Sequence, residues 1–394
     1  MLALATTFIV ACQKDNEEMN LRSITASLNN SDSKTALDTD GKTPKWNVGD
    51  QVWISNGTAS EIVTVTPIDD SKATFTTALA GKLYAVYPSS CAPSTPSVTP
   101  LKVTIPMEQA GTFASANICV AEEVAANSLA FSNAASVIPV ANTNEDTGID
   151  FAAAYNIAGT VSVTFGADNT INVATEELSC SGIKVAGLSG TDTRYIAVAP
   201  VTSGSIKVFR HKGGNTAVQS FAGRTFARNT ICKEIPAVST GYNSLDCGVI
   251  DGRAYITDKG VKWAMENLYK DAAGMAQVGE TGHIKGSLYS YEEAKEYMKD
   301  SGWCLPRQED YDALSSAFNP DDSKTGVTDG ILFLPTPGCI VDKKNQPEWG
   351  IFWCTDDGDY KGNWYGYSAT QNTLSYRAGE ANHGHELFLR LIHK

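Results

Sequence analysis

Between Ile24 and Val238 the apolar residues come in runs too short for a helix. Gln51 to Ile54, Glu61 to Val65, Lys82 to Tyr87, Leu101 to Ile105, Thr160 to Phe165, Tyr195 to Val201 and Ser205 to Phe209 are rich in Val, Ile, Thr and Tyr. Gly, Asn, Asp, Ser and Thr separate them. Runs of this length bounded by turn formers predict strands, and their spacing predicts β-sandwiches. No long helical period interrupts them, so this half is read as all-β.

The grammar changes at Leu245. In SYEEAKEYMKDSG, Ser290 precedes Glu293 by three residues, the capping-box spacing, and Tyr291, Ala294 and Met298 fall on one helical face. Gly302 is placed to end that helix in the left-handed conformation. After Pro306, Tyr311, Leu314 and Phe318 repeat the spacing and predict a second helix. ILFLPTPG, WGIFWCTDDGDYKGNWYGYSA and HELFLRLI then read as strands and aromatic-rich loops.

The amino-terminal stretch MLALATTFIVACQKDNEEMN is different again. Leu2 to Ala11 is too short to span a bilayer, which takes about 20 residues in a helix. It reads as the end of a secretory signal, with Ile9, Val10, Ala11 and Cys12 at the cleavage site. The stretch resembles a bacterial lipobox, which implies acylation of Cys12; a plain secretory signal is the alternative. No Lys or Arg precedes the apolar run, which leaves a start of the precursor upstream of Met1 as an open alternative. Several acyl chains would hold the precursor to a membrane, since each buried methylene contributes about 0.8 kcal/mol.

With a formal charge of −13, the 394-residue chain has no basic footprint for nucleic acid. Setting Cys12 aside, Cys91, Cys119, Cys180 and Cys232 precede residue 241, and Cys247, Cys304, Cys339 and Cys354 follow it. Eight thiols allow on the order of a hundred pairings, and the sequence does not choose among them. No C-x-x-C suggests a zinc knuckle.

The order of motifs in the first half resembles the fimbrillin family of Bacteroidetes pilins. KTALDTDGKTPKWNVGDQVWI carries Trp46 and Gly49-Asp50 ahead of a strand, and LYAVYPSS carries Tyr84, Tyr87 and Pro88. VTIPMEQ supplies Pro106 and Gln109, followed by DFAAAYNIAGTVSVTF, YIAVAP with Pro200, and GRTFARNTICKEI. The resemblance implies two tandem transthyretin-like β-sandwiches. The same residues also have a plain structural reading: turn, strand end and core anchor.

VKWAMENL, GWCLPRQEDYDAL, FLPTPG, GIFWCTDD and LFLRLI resemble a C-type-lectin-like domain, which implies an α+β unit at the end of the chain. Relatives commonly carry Arg or Lys at the position of Cys304, so any inherited disulfide pattern is in doubt. The expected division is thus 1–20 signal, lipobox and tether, 21–149 first sandwich, 150–240 second sandwich and 241–394 lectin-like domain.

For binding, the lectin resemblance points to Gln346 and Glu348 around Pro347, with Trp349, Tyr360, Trp364 and Tyr365 as aromatic contacts. Trp353 and Tyr367 belong to the same aromatic set, and several of these rings must fill the core. Asp356, Asp357 and Asp359 are the calcium candidates, against a solvated acidic loop, because calcium takes about 6–8 oxygen ligands. The family's Trp-Asn-Asp partner is absent, which counts against calcium, and no other cofactor is expected. No nucleophile motif is present; His383-x-His385-Glu386 and the pair Cys339 and Cys354 lack supporting motifs, so no enzymatic activity is expected.

The fimbrillin resemblance also implies removal of the leader and first strand by a trypsin-like protease, and filling of the vacated groove by a neighbour's strand. Leu21 to Leu28 is the expected strand, with Arg22, Lys34, Lys42 and Lys45 as cleavage positions. The implied protein is an exported cell-adhesion lipoprotein of the outer membrane or fimbrium. Its partners would be other fimbrial subunits and a host or bacterial glycan or surface protein. The alternative is an anchored glycan-binding lipoprotein that keeps Cys12 and never polymerises.

Overall fold

The computed structural model describes residues 21–28, 45–153, 156–166, 170–175, 182–185, 188, 190–270, 277–278, 283–299, 301–315, 319–320, 326–328, 333–335, 339–341, 344–346, 349–355, 364–368, 373–377 and 385–394. The protein is mainly β, with several sheets consistent with β-sandwich packing and only short helices among the described residues.

The first ten strands are β1 (Arg22–Leu28), β2 (Gln51–Ser55), β3 (Ser60–Thr64), β4 (Thr66–Pro67), β5 (Lys72–Thr77), β6 (Tyr84–Tyr87), β7 (Leu101–Ile105), β8 (Glu108–Gln109), β9 (Cys119–Ala125) and β10 (Ser128–Asn133). Eight of them form one sheet in the order β3-β2-β6-β9-β10-β1-β5-β4. Its two ends, β3 and β4, are separated only by Val65, so the chain passes directly from one margin of the sheet to the other. Inside lie Ile24, Ala26, Val52, Ile54, Phe75, Tyr87, Leu129 and Phe131, with Trp46 set edge-on against Tyr87 and Phe131 at centroid distances of 5.1 and 5.4 Å.

Alternation fails along β9 for a physical reason. Cys119 and Ala121 face this core, while Val120, with Trp53 and Val86, belongs to the next one. A strand covered on both faces reads as a continuous apolar run.

The next strands are β11 (Ser136–Val140), β12 (Gly148–Ala153), β13 (Gly159–Phe165), β14 (Ile171–Thr175), β15 (Gly182–Val185), β16 (Arg194–Val198), β17 (Val201–Lys212) and β18 (Asn215–Phe226). They form a five-stranded sheet, β18-β17-β12-β15-β8, facing the ladder β14-β13-β7 and the pair β11-β16. Leu101, Val103, Ile105, Val137, Ile149, Phe151, Val161, Ile183, Ile196 and Val208 fill the space between. The sequence put a boundary at residue 150, whereas β7, β8 and β11, from before it, pair with β13, β15 and β16, from after it.

Gln109, one of the motif residues, has an identifiable task. Its Nε2 donates to the Ala197 carbonyl at 2.8 Å and to the Pro106 carbonyl at 3.0 Å, and its Oε1 accepts the Ala197 N–H at 2.8 Å. The side-chain amide thus acts as a one-residue strand against the margin of β16. Gln109→Glu keeps the shape but removes the donor, so it is expected to cost about 1–3 kcal/mol in urea unfolding. A wild-type midpoint would refute this role.

The third region starts with the ladder β19 (Cys247–Ile250), β20 (Arg253–Asp258) and β21 (Val261–Ala264), continued by Ile392–His393 and Trp303–Cys304. The capping box is present: Ser290 Oγ accepts the Glu293 N–H, and a Glu293 carboxylate oxygen accepts the Ser290 N–H at 2.7 Å. The helix is shorter than its spacing predicts, an α-turn over Tyr291–Ala294 followed by a 3₁₀ turn over Lys295–Tyr297. Met298 is exposed, and Gly302, at φ +64°, exchanges backbone hydrogen bonds with Lys394 instead of ending the helix. The Trp303–Cys304 segment that follows pairs with the terminal strand Ile392–His393. The second helix spans Gln308–Ser315, with Tyr311 and Leu314 fully buried; Phe318 lies outside the described residues.

Cys91, Cys119 and Cys247 are free thiols. Burial pushes Cys91 and Cys247 up to about 11 and raises Cys119 further. At pH 8 about one part in a thousand of Cys91 or Cys247 is thiolate, so both should resist alkylation until the fold is opened with urea. Labelling of either in native protein at the rate of a free thiol would contradict the buried placement.

Candidate functional site

The candidate site is the berth of β1. This strand runs parallel to β10, pairing Thr25 with Ser128 through Leu28 with Phe131, and antiparallel to β5, pairing Arg22 with Thr77 through Ser27 with Lys72. Period-two geometry turns Ile24, Ala26 and Leu28 into the core, while Ser23 and Thr25 remain exposed. Ala26 sits between Ala73 and Leu129, Ile24 pairs with Phe75, and Leu28 pairs with Phe131. β1 is continuous with the sheet in space, yet in sequence it is tied to β2 through residues 29–50 alone.

Arg22 closes one end of the berth. Its guanidinium pairs with Glu123 and donates to the Gly81 carbonyl at 2.7 Å, the Leu79 carbonyl at 3.3 Å and Asn127 Oδ1 at 3.0 Å. Glu123 is buried on β9 and also accepts the Leu83 and Asn127 N–H groups at 3.0 and 2.8 Å.

Of the expected cleavage positions, Arg22 is held in this socket, and Lys45 is exposed immediately before buried Trp46. Lys34 and Lys42 lie outside the described residues, as does Cys12.

In the third region, Trp349–Trp353, Trp364–Ser368 and Thr373–Arg377 form a three-stranded antiparallel sheet. Trp349 pairs in register with Ser368, Trp364 with Trp353, and Tyr365 with Phe352, so three of the aromatic candidates share one small sheet. Gln346 stands on Lys344–Gln346, paired with Cys339. Glu348, Asp356, Asp357, Asp359 and Tyr360 lie outside the described residues. Trp353 belongs to the core, fully buried, with Nε1 donating to the Tyr289 carbonyl at 2.8 Å. His385 is buried whereas its neighbour Glu386 is exposed, so the two do not converge; His383 lies outside the described residues. Among the described residues no group of three His, Cys, Asp or Glu is arranged to hold a metal ion.

A groove of about 430 Å³ lies where Pro106, Met107, Glu108 and Lys184 face the turn Val249 to Gly252. Beside it the third region is fastened to the second sheet. Asp150 Oδ2 accepts the Val249 N–H at 2.8 Å and lies 3.2 Å from His211 Nε2, and Gly182 N–H donates to the Gly252 carbonyl at 2.8 Å.

No family model matches the chain, and comparison with curated proteins returns no match. Solved structures similar to it include the following three from Bacteroidetes. A candidate cell adhesion protein from Bacteroides ovatus is 13% identical over 58% of this chain and 97% of its own, with a TM-score of 0.35. A fimbrial assembly protein from Parabacteroides distasonis is 7% identical over 62% and 95%, at 0.32. A fimbrial protein from Bacteroides ovatus is 11% identical over 94% and 97%, at 0.24.

Glu123 and its socket were not read from sequence, although a signal exists. In CVAEEVA the positions alternating with Cys119 and Ala121 should be apolar, and Glu123 falls among them. A carboxylate at an inward strand position needs a partner. Arg390, fully buried in LFLRLI with its Nη1 donating to the Ala264 carbonyl at 2.9 Å, is a second such residue, and burial pushes it down to about 10.

Proposed function

We propose that this protein is a fimbrial tip subunit that accepts a neighbour's strand in the berth of β1 and carries residues 241–394 as its adhesive head. One observation carries the reading: an amino-terminal strand, connected onward by a polar stretch, lies between two strands that would each expose a row of backbone donors and acceptors without it. Strand addition satisfies such rows while alternate side chains fill the pockets left behind. The order of fimbrillin motifs supports the same reading. At the other end, Ile392–His393 is paired on both edges within its own sheet, by Lys262–Trp263 and Trp303–Cys304, so this segment is not a free strand for donation. In this reading the protein is exported as a lipoprotein to the outer membrane, and Cys12 serves the precursor. In this reading the head binds a glycan or protein ligand, with Trp349, Trp364 and Tyr365 as the candidate contacts.

The test is immunogold microscopy of sheared fimbriae with antibody to residues 241–394, together with amino-terminal sequencing of the same material. Gold at filament ends, with a mature start beyond Asn29, is expected. Gold confined to cell envelopes, with Cys12 still acylated, would replace this reading with the anchored glycan-binding lipoprotein.

A further inference from the structure

We infer that the berth of β1 selects its occupant by charge: Glu123 requires a strand that leads with arginine and continues with apolar residues at the second, fourth and sixth positions beyond it. The inference rests on the strand-exchange reading above and names the chemistry of the incoming partner.

The socket is built before the strand arrives. Glu123 is fixed by the Leu83 and Asn127 N–H groups, neither of which belongs to β1. The Leu79 and Gly81 carbonyls and Asn127 Oδ1 converge on the same guanidinium. All of these acceptors remain when β1 leaves, and none brings a cation. A guanidinium presents five donors in a planar fork and can meet several acceptors at once; an ammonium is a point charge with a different geometry. Arginine is therefore preferred over lysine, and an apolar or acidic leader would leave the carboxylate facing an uncompensated partner.

The remaining pattern follows from the pockets. Ile24, Ala26 and Leu28 are inward and buried, and Ala26 lies opposite Ala73, so the fourth position takes a small side chain. The socket lies at the amino-terminal end of β1, and so it also sets direction. An occupant inserted in reverse would place its cation at the Leu28 end, away from Glu123.

The experiment uses the full chain with a site-specific protease sequence inserted between Asn30 and Ser31, cleaved after folding. Fluorescent peptide LRSITASL is added in excess, and its incorporation is followed by native mass spectrometry. Incorporation is expected to exceed that of the same peptide carrying Arg22→Glu by at least about tenfold, the size of one lost charge-assisted pair. In protein carrying Glu123→Gln the difference should collapse, and in Glu123→Lys it should reverse. Equal incorporation of both peptides into wild-type protein would overturn the charge selection and leave strand exchange standing. Failure of every peptide to enter the cleaved protein would overturn strand exchange, and this inference with it.

Discussion

Asp146→Ala is expected to cost the fold about 3–5 kcal/mol, because it leaves a buried guanidinium without its counter-charge. The side chains of Arg210 and Asp146 are both fully buried, 3.2 Å apart. Arg210 Nε donates to Gln219 Oε1 at 2.7 Å and its Nη2 to the Pro236 carbonyl at 3.1 Å. Asp146 accepts the Tyr242 hydroxyl at 2.6 Å and the Thr143 N–H at 2.8 Å. Burial pulls the Arg210 pKa below its usual value, and Asp146 opposes that pull. On the same cluster, burial and the bond to Asp146 push Tyr242 up to about 12.

The charge pair itself is not the source of stability. Two desolvated ions roughly balance their own burial, so the double variant Asp146→Ala with Arg210→Met should recover most of what the single change loses. Urea unfolding of the wild type, both single variants and the double variant measures this directly. A loss below about 1 kcal/mol for Asp146→Ala would show that Arg210 finds another partner or water, and the cluster would lose its role. Pro236 and Tyr242 belong to the stretch that leads into the third region, so the same cluster fixes where that stretch departs. Cleavage of Asp146→Ala protein between Ala237 and Asp246 at low protease should therefore accelerate along with the loss of stability.

Strand periodicity, in runs such as β1 and β7 that alternate buried with less buried positions, made the β character of residues 24–238 legible. It failed where a strand is covered twice. β9 gives no clean alternation, and its inward Glu123 reads as surface charge until Arg22, a hundred residues distant, is placed beside it. The berth of β1 was legible as a segment, Leu21 to Leu28, but its two neighbours were not, since β5 and β10 are chosen by sheet topology. The interleaving of β7, β8 and β11 with later strands was hidden for the same reason: pairing over long separations leaves no local mark. Around the capping box the local signal was right and the length was wrong, since the contact between Gly302 and Lys394 overrides the helical spacing of Met298. Gln109 showed its place in a motif but not its task, which depends on a backbone edge eighty-eight residues away.

Gly248→Val is expected to release the third region from the second sheet. A Cβ on Gly248 would stand 2.6 Å from Asp150 Oδ2, closer than unbonded atoms tolerate, and 3.3 Å from His211 Cε1, a tight contact. Asp150 cannot yield cheaply, because it is buried and already accepts the Val249 N–H. Gly182 makes the matching approach from the other side, where a Cβ would meet Val249 Cγ1 at 2.6 Å and the Gly252 backbone carbon at 3.3 Å. At Gly182 and Gly252 the two surfaces touch backbone to backbone, and Ala152 and Phe209 of the sheet share a core with Trp263. Overpacking at such a contact costs about 1–3 kcal/mol, and loss of the Asp150 bond adds about 1–3 more for a charged acceptor.

Because the damage falls on the junction and spares the interiors of the flanking sheets, scanning calorimetry of the variant is expected to show two transitions where the wild type shows one. Small-angle scattering of the folded variant should show a larger radius of gyration. A single transition at the wild-type temperature would mean that the junction accommodates the branch and holds by other contacts, the Lys207–Glu266 ion pair at 3.1 Å foremost. In the proposed tip subunit this junction lies on the path between strand berth and adhesive head. Tension on a bound head would pass through the Asp150–Val249 and Gly182–Gly252 bonds before reaching β1, so the variant should keep its ligand binding at rest and release the head at lower force in single-molecule pulling.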